Sequence, residues 1–318
     1  MDFTAIDQVR LNFNPQGLFV INAAIGLMML GVALELRLDD FKRIFKAPKA
    51  PGIGLGAQFI LLPAVTFLLT LILQPPPSIA LGMILVAACP GGNLSNIITY
   101  LARGNCAVSV SMTAVSTAAA IIMTPFNLSL WGSLNQDTAR ILRAVSLSPV
   151  DVFITVFIIL GIPLAIGMMI SHLFPALAGK IRRPFKIFSL IFFIGIVIAA
   201  LAVNWQNFVK YVGLVFIGVL IHNALALNLG YWFGRLFRLR EADNRAVAIE
   251  VGIQNSGLGL VLVFNFFEGL GGMAIIVAWW GIWHIIAGLI VAFIFSRRSL
   301  SAGLRQKIVD SSIRSSED

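Results

Sequence analysis

Charge is what this chain has least of. Only 12% of its 318 residues are Asp, Glu, Lys or Arg, against 58% hydrophobic, too little polar surface to cover a water-soluble globule of this length. An integral membrane protein is the class that remains. Cysteine is nearly absent too: Cys89 and Cys106 are the only two, both in or beside apolar runs, so no disulfide framework or thiolate metal cluster is expected. No His-Glu-x-x-His string occurs, which removes the intramembrane metalloprotease. No pair of buried acids is available to share a proton, as an aspartyl membrane protease requires. An enzyme is therefore not expected. Residues 1 to 16 are mixed and polar, without the basic-then-apolar pattern of a cleavable signal.

What the chain has is long apolar runs. A window of about 20 residues predicts nine spans, at 17–36, 51–73, 79–101, 106–131, 150–172, 187–203, 211–233, 246–267 and 271–295. The formal charge of +9 would suggest a nucleic-acid partner in a soluble protein. Here the basic residues follow alternate spans instead. Clusters after the first, third, fifth and seventh spans, with the tail's Arg297 to Arg314, hold 19 of the 23 lysines and arginines. Only Arg10, Arg140, Arg143 and Lys210 fall on the other side. The positive-inside rule then puts the rich side in the cytoplasm, with the N-terminus outside and the C-terminus inside a cell (inner) membrane. No nucleic acid is implied, and no obligatory protein partner is evident. Residues 1–16 are expected to be an extracytoplasmic segment, 17–295 one transmembrane unit, and 296–318 a polar, poorly ordered cytoplasmic tail. The stretches Arg37-Leu38-Asp39-Asp40 and Phe237-Arg238-Leu239-Arg240-Glu241 read as solvated turns.

The third and eighth spans are broken by Pro90-Gly91-Gly92-Asn93-Leu94-Ser95-Asn96 and Glu250-Val251-Gly252-Ile253-Gln254-Asn255-Ser256-Gly257. Irregular backbone at membrane depth must be enclosed by protein or line a cavity, and two such breaks in corresponding halves point to a secondary transporter's binding site. An offset of five spans reverses orientation, so the halves 17–131 and 150–295 are expected to form an inverted repeat, the first one helix short. The half-helices beginning near Asn93 and Gln254 would cross and aim positive dipole ends into the crossing, favouring anions. The carbonyl ends of the preceding half-helices suit a hard cation.

Glu250 is the most telling residue. It follows Ala246-Val247-Ala248-Ile249, and no lysine or arginine lies inside another predicted span to pair with it. A bound cation would neutralise it economically; the alternative is a solvated ion pair with Arg245 near the interface. Ser95 and Asn96 lie just past the first break, and Ser109 and Thr113 are four apart on one helical face. With Glu250 they could form a cage for sodium, although Ser and Thr in membrane helices often just bond backbone. Gln58 and Gln254 add two amide oxygens that could define a second site.

These strings, with Cys89-Pro90-Gly91-Gly92, Tyr100-Leu101-Ala102-Arg103-Gly104-Asn105 and Trp283-His284, resemble the bile acid:sodium symporter family over essentially the whole chain. The resemblance implies two sodium ions. One would be held by side chains of Ser95, Asn96, Thr113 and Glu250 with the Ser109 carbonyl. The second would be held by Gln58 and Gln254 side chains with the carbonyls of Glu250, Val251 and Ile253. It also implies a core domain carrying the crossed helices, a panel domain, and a substrate cavity between them. Asn93 and Ile285 depart from residues common in the family and would lie close to the substrate. His284 either lines the cavity or packs against a neighbouring helix, and His222-Asn223 reads as interhelical glue. Asn255 and Asn93 offer amides to a hydroxyl or keto oxygen. The expected activity is therefore sodium-coupled import of an organic anion, such as a bile acid or a small hydroxy- or keto-acid, by alternating access. A sodium-independent carrier or a passive pore lined by the same half-helices is the rival reading.

Overall fold

The computed structural model describes residues 6–7, 15–145, 149–203 and 205–297. The expected polar tail past Arg297, and all of the N-terminal segment before Pro15 except Ile6 and Asp7, lie outside the described residues. Among them the chain is all helical, with no strand. Five helices are long and apolar enough to cross a membrane: Lys49–Leu73, Cys106–Leu134, Val150–Leu173, Val215–Leu236 and Gly271–Arg297. The apolar helices Pro77–Ala88 and Ser256–Phe266 are shorter, because each is one half of a broken run.

In chain order α1 is Pro15–Ala33 and α2 is Leu38–Lys46. Next, α3 (Lys49–Gly56) continues through a π turn at Ala57–Leu61 into α4 (Leu62–Leu73). The first broken run is α5 (Pro77–Ala88) and α6 (Leu94–Leu101), followed by α7 (Cys106–Leu134) and α8 (Gln136–Ala144). A second π turn at Phe157–Gly161 joins α9 (Pro149–Val156) to α10 (Ile162–Leu173). Then come α11 (Pro175–Val203) and α12 (Trp205–Leu236). The second broken run is α13 (Glu241–Gly252) and α14 (Ser256–Phe266), and α15 is Gly271–Arg297.

Both π turns are followed by proline, Pro63 and Pro163, at the second position of the next helix. Proline has no N–H to give the carbonyl four residues back. For Pro63 that carbonyl is Phe59, and Asn127 Nδ2 of α7 donates to it at 3.1 Å. Asn127 is itself held by Trp131 Nε1, which donates to its Oδ1 at 3.0 Å. The turn that carries Gln58 is thus fixed from a neighbouring helix. The left-handed Gln74 (φ 44°) ends α4 ahead of the proline run.

Two stretches differ from the sequence reading. Leu38 begins α2 rather than a solvated turn, because Asp40 is buried and its Oδ2 accepts the Arg37 N–H at 2.9 Å. The predicted cytoplasmic loop carrying Lys180, Arg182, Arg183 and Lys186 is the first part of α11, which Pro175 starts one residue beyond α10. A proline at the first helical position is pre-set for helix and loses no bond, so hydropathy alone places this helix start too late.

α1 packs against α10 and α11, whereas α5, α7, α12, α13 and α15 pack around the two breaks. α12 lies so close to α13 that a Cβ at Gly230 would come 2.8 Å from the Val247 carbonyl oxygen. Small residues at helix contacts allow this approach where lipid offers no hydrophobic drive to associate.

Candidate functional site

The two breaks meet. Gly91 and Gln254 form an antiparallel bridge, in which Gly92 N–H donates to Ile253 O at 2.7 Å and Asn255 N–H to Pro90 O at 2.9 Å. Each break therefore satisfies backbone groups of the other, which lipid could not. A Cβ at Gly91 would run into Glu250 Oε1, and one at Gly92 would lie 3.0 Å from Gln254 O. Glycine is needed here for close approach rather than for backbone angle.

The carbonyls freed at the ends of the first half-helices find side-chain donors. Thr124 Oγ1 donates to Ala88 O at 2.7 Å and Gln58 Nε2 to Cys89 O at 2.9 Å. Asn223 Nδ2 donates to Gly252 O at 2.8 Å, and Gln254 Nε2 to Val251 O at 2.7 Å. Thr124 thus supports the first break, a role the sequence does not display, and Asn223 supports the second as the glue between helices expected of it.

Glu250 is fully buried beside this crossing. Its Oε2 accepts Ser95 Oγ at 2.5 Å and Ser109 Oγ at 3.0 Å, and its Oε1 accepts Thr113 Oγ1 at 2.6 Å. Asn96 Oδ1 accepts the same Ser109 and Thr113 hydroxyls at 2.9 and 3.3 Å. Thr99, which sequence reasoning missed, adds a buried hydroxyl 3.3 Å from Ser109 Oγ. Among the described residues no lysine or arginine reaches Glu250. Arg245, also fully buried, pairs through Nε with Glu241 at 3.0 Å, donates from Nη1 to Ala102 O at 3.1 Å and lies over the Phe295 ring. It secures the C-terminal end of α6, where a cation also complements the helix dipole. Asn105 adds a second tie: its Nδ2 donates to Asp243 Oδ1 at 2.7 Å and its N–H to Ala242 O at 2.8 Å.

Gln58 and Gln254 are in direct contact, Gln58 Nε2 donating to Gln254 Oε1 at 2.8 Å, and Gln58 Oε1 is buried with no partner among the described residues. Carbonyl oxygens of Val251 and Ile253 each hold one hydrogen bond here and keep a second lone pair. The four residues expected near substrate are less closely joined. Asn93 stands at the N-terminal boundary of α6 without a side-chain capping bond, whereas Asn255 caps α14, its Oδ1 accepting Leu258 N–H at 3.1 Å. His284 is buried and Ile285 half-buried on α15, one turn from Gly288, which packs on Ile98 and Ile253. Among the described residues these four share no hydrogen bond. His222 contacts Thr66 Oγ1 through Nε2 at 2.7 Å and packs on Trp280, consistent with a joint between helices.

An all-helical membrane chain with two mutually paired breaks around an unpaired buried acid has the build of a secondary transporter. The chain belongs to the sodium bile acid symporter family, whose model matches residues 23–211. It is a multi-pass membrane transporter, not an enzyme. It is 34% identical over 278 residues to the Bacillus subtilis (strain 168) sodium-dependent transporter YocS, covering 87% of this chain and 83% of that protein. It is 33% identical over 274 residues to the probable sodium/metabolite cotransporter BASS1, chloroplastic, of Arabidopsis thaliana, covering 85% of this chain and 65% of the relative. It is 26% identical over 262 residues to the human P3 protein, covering 81% of this chain and about half (53%) of the relative.

Proposed function

We propose that this protein couples the inward movement of two sodium ions to that of one organic anion. The observation that carries the reading is Glu250, a fully buried carboxylate that accepts three hydroxyls and, among the described residues, no cationic side chain. An isolated buried charge of this kind costs several kcal/mol or more unless it is offset. One sodium among Ser95, Asn96, Ser109, Thr113 and Glu250 would meet oxygens only, the donor set a hard cation prefers. A second would lie between Gln58 and Gln254, taking the unpartnered Gln58 Oε1 and the free lone pairs of the Glu250, Val251 and Ile253 carbonyls.

Charge balance gives the anion its place. Two sodium ions and one Glu250 carboxylate leave one positive charge, which a monovalent carboxylate or sulfonate at the N-terminal ends of α6 and α14 would neutralise. Asn93, Asn255, His284 and Ile285 would line that position. In this reading 17–295 is one transporter of nine spans, with repeats 17–131 and 150–295 inverted about the crossing. The helices α1, α10 and α11 would form the panel and the rest the core, the N-terminus outside and the C-terminus in the cytoplasm.

The test is a thermal-shift screen of organic acids on the purified protein, with sodium or with choline. A ligand that binds the folded state raises the midpoint by mass action, and a coupled one does so more strongly with sodium. Acids that stabilise equally in choline would defeat coupling. Stabilisation by neutral or cationic compounds alone would defeat the anion.

A further inference from the structure

A cavity of about 580 Å³ opens away from the crossing, where the end of α1 and start of α2 meet the end of α10 and the start of α11. Its basic lining residues are Arg37, Lys42, His172 and Arg182, against the single acid Asp39. Asp39 is engaged by Lys42 at 3.4 Å, so the two arginines are left as excess charge. Among the described residues the Arg37 side chain has no acceptor, and Arg182 Nε is buried without one. A buried N–H without an acceptor is costly, and the flat guanidinium fork matches phosphoryl oxygens two at a time.

α2 sets the depth of this cavity. It is an amphipathic helix that leaves Phe45 85% exposed and Leu38 45% exposed beside its basic residues, the form of a helix lying in the membrane interface. The cavity therefore opens at the level of lipid phosphates, on the side where basic residues gather. Basic pockets between helices on that side take anionic headgroups.

We propose that this cavity binds a phosphate-bearing anion, supplied by the headgroup of an anionic phospholipid and held by Arg37 and Arg182. Bound there, it ties the α1–α2 junction to the α10–α11 junction. The site is separate from the sodium and anion positions, and its test does not depend on them.

The experiment measures unfolding midpoints and lipid retention by native mass spectrometry on the full chain in neutral detergent, with phosphatidylglycerol, phosphatidylcholine or inorganic phosphate added. Phosphatidylglycerol should raise the midpoint saturably and be retained, whereas phosphatidylcholine should do neither. Arg182→Gln should weaken this affinity by about tenfold or more, the scale of a lost charge-assisted bond. Arg140→Gln, at an exposed arginine elsewhere, should leave it unchanged. If Arg182→Gln does not fold, Arg37→Gln at an exposed position carries the same expectation. A shift with inorganic phosphate that Arg37→Gln abolishes would support the phosphoryl site and show that soluble anions reach it; a shift with phosphatidylglycerol alone would make the bilayer the only source. Equal responses to the two lipids, or a wild-type response in both variants, would overturn the proposal.

Discussion

Glu250 and its three hydroxyl partners form a unit that a single atom can disturb. Glu250→Gln keeps the shape and one carbonyl oxygen but removes the charge that would offset a cation. Sodium affinity should then fall by roughly a hundredfold, the size of a buried charge-assisted contact of about 1.5–3 kcal/mol per bond. Sodium titration of the unfolding midpoint reads this, and an unchanged titration would remove Glu250 from the cation's reach. Gln254→Ala should weaken sodium dependence less, because the carboxylate cage does not include it. At this scale the acid was legible in the sequence, since a carboxylate inside an apolar run has few structural uses. Ser95, Asn96, Ser109 and Thr113 were legible through their spacing and their place beside the break. Thr99 and Thr124 were not, because a hydroxyl in an apolar helix looks the same whether it bonds its own backbone or a carbonyl 2.7 Å away on another helix.

Among the elements, the π turns at Ala57–Leu61 and Phe157–Gly161 are not revealed by hydropathy. A π turn inserts one residue into an apolar run without changing its composition. Asn127 supplies the donor that Pro63 lacks, so Asn127→Leu should lower stability by about 1–3 kcal/mol, the cost of an unsatisfied buried carbonyl. In a Pro63→Ala background the restored N–H can serve Phe59 instead, and the same change should cost less. A double-mutant cycle on unfolding midpoints checks this; equal costs in both backgrounds would separate Asn127 from the turn. The breaks themselves were readable from glycine and proline clusters. Helix starts were not: Pro175, preset for the first helical position, opens α11, and Asp40 holds the start of α2 through the Arg37 N–H, local features that a 20-residue average smooths away.

For the whole molecule, the proposed entry of two sodium ions with a monovalent anion would carry one net positive charge inward. That movement is worth about 2.3 kcal/mol per 100 mV, close to a fiftyfold change in accumulation at equilibrium. Uptake into vesicles should follow an imposed potassium diffusion potential, and uptake indifferent to it would rule out this stoichiometry. The reciprocal amide pair Asn22–Asn265, with nitrogen-to-oxygen distances of 2.8 and 2.7 Å, joins α1 to α14. If these helices slide past each other during transport, thiols introduced at both positions in a Cys106→Ser background and joined by a short bifunctional reagent should arrest uptake while sodium still stabilises the protein. Continued uptake after complete cross-linking would place both helices in one rigid body. The paired breaks also bear on synthesis at the ribosome. Gly92 and Pro90 emerge well before Ile253 and Asn255, to which their backbone groups bond. At roughly 5–20 residues per second, the interval is about 8–30 s. Throughout it the nascent α5–α6 run holds unsatisfied polar backbone that hydrocarbon rejects, so its lasting residence in the bilayer must await translation of α13 and α14.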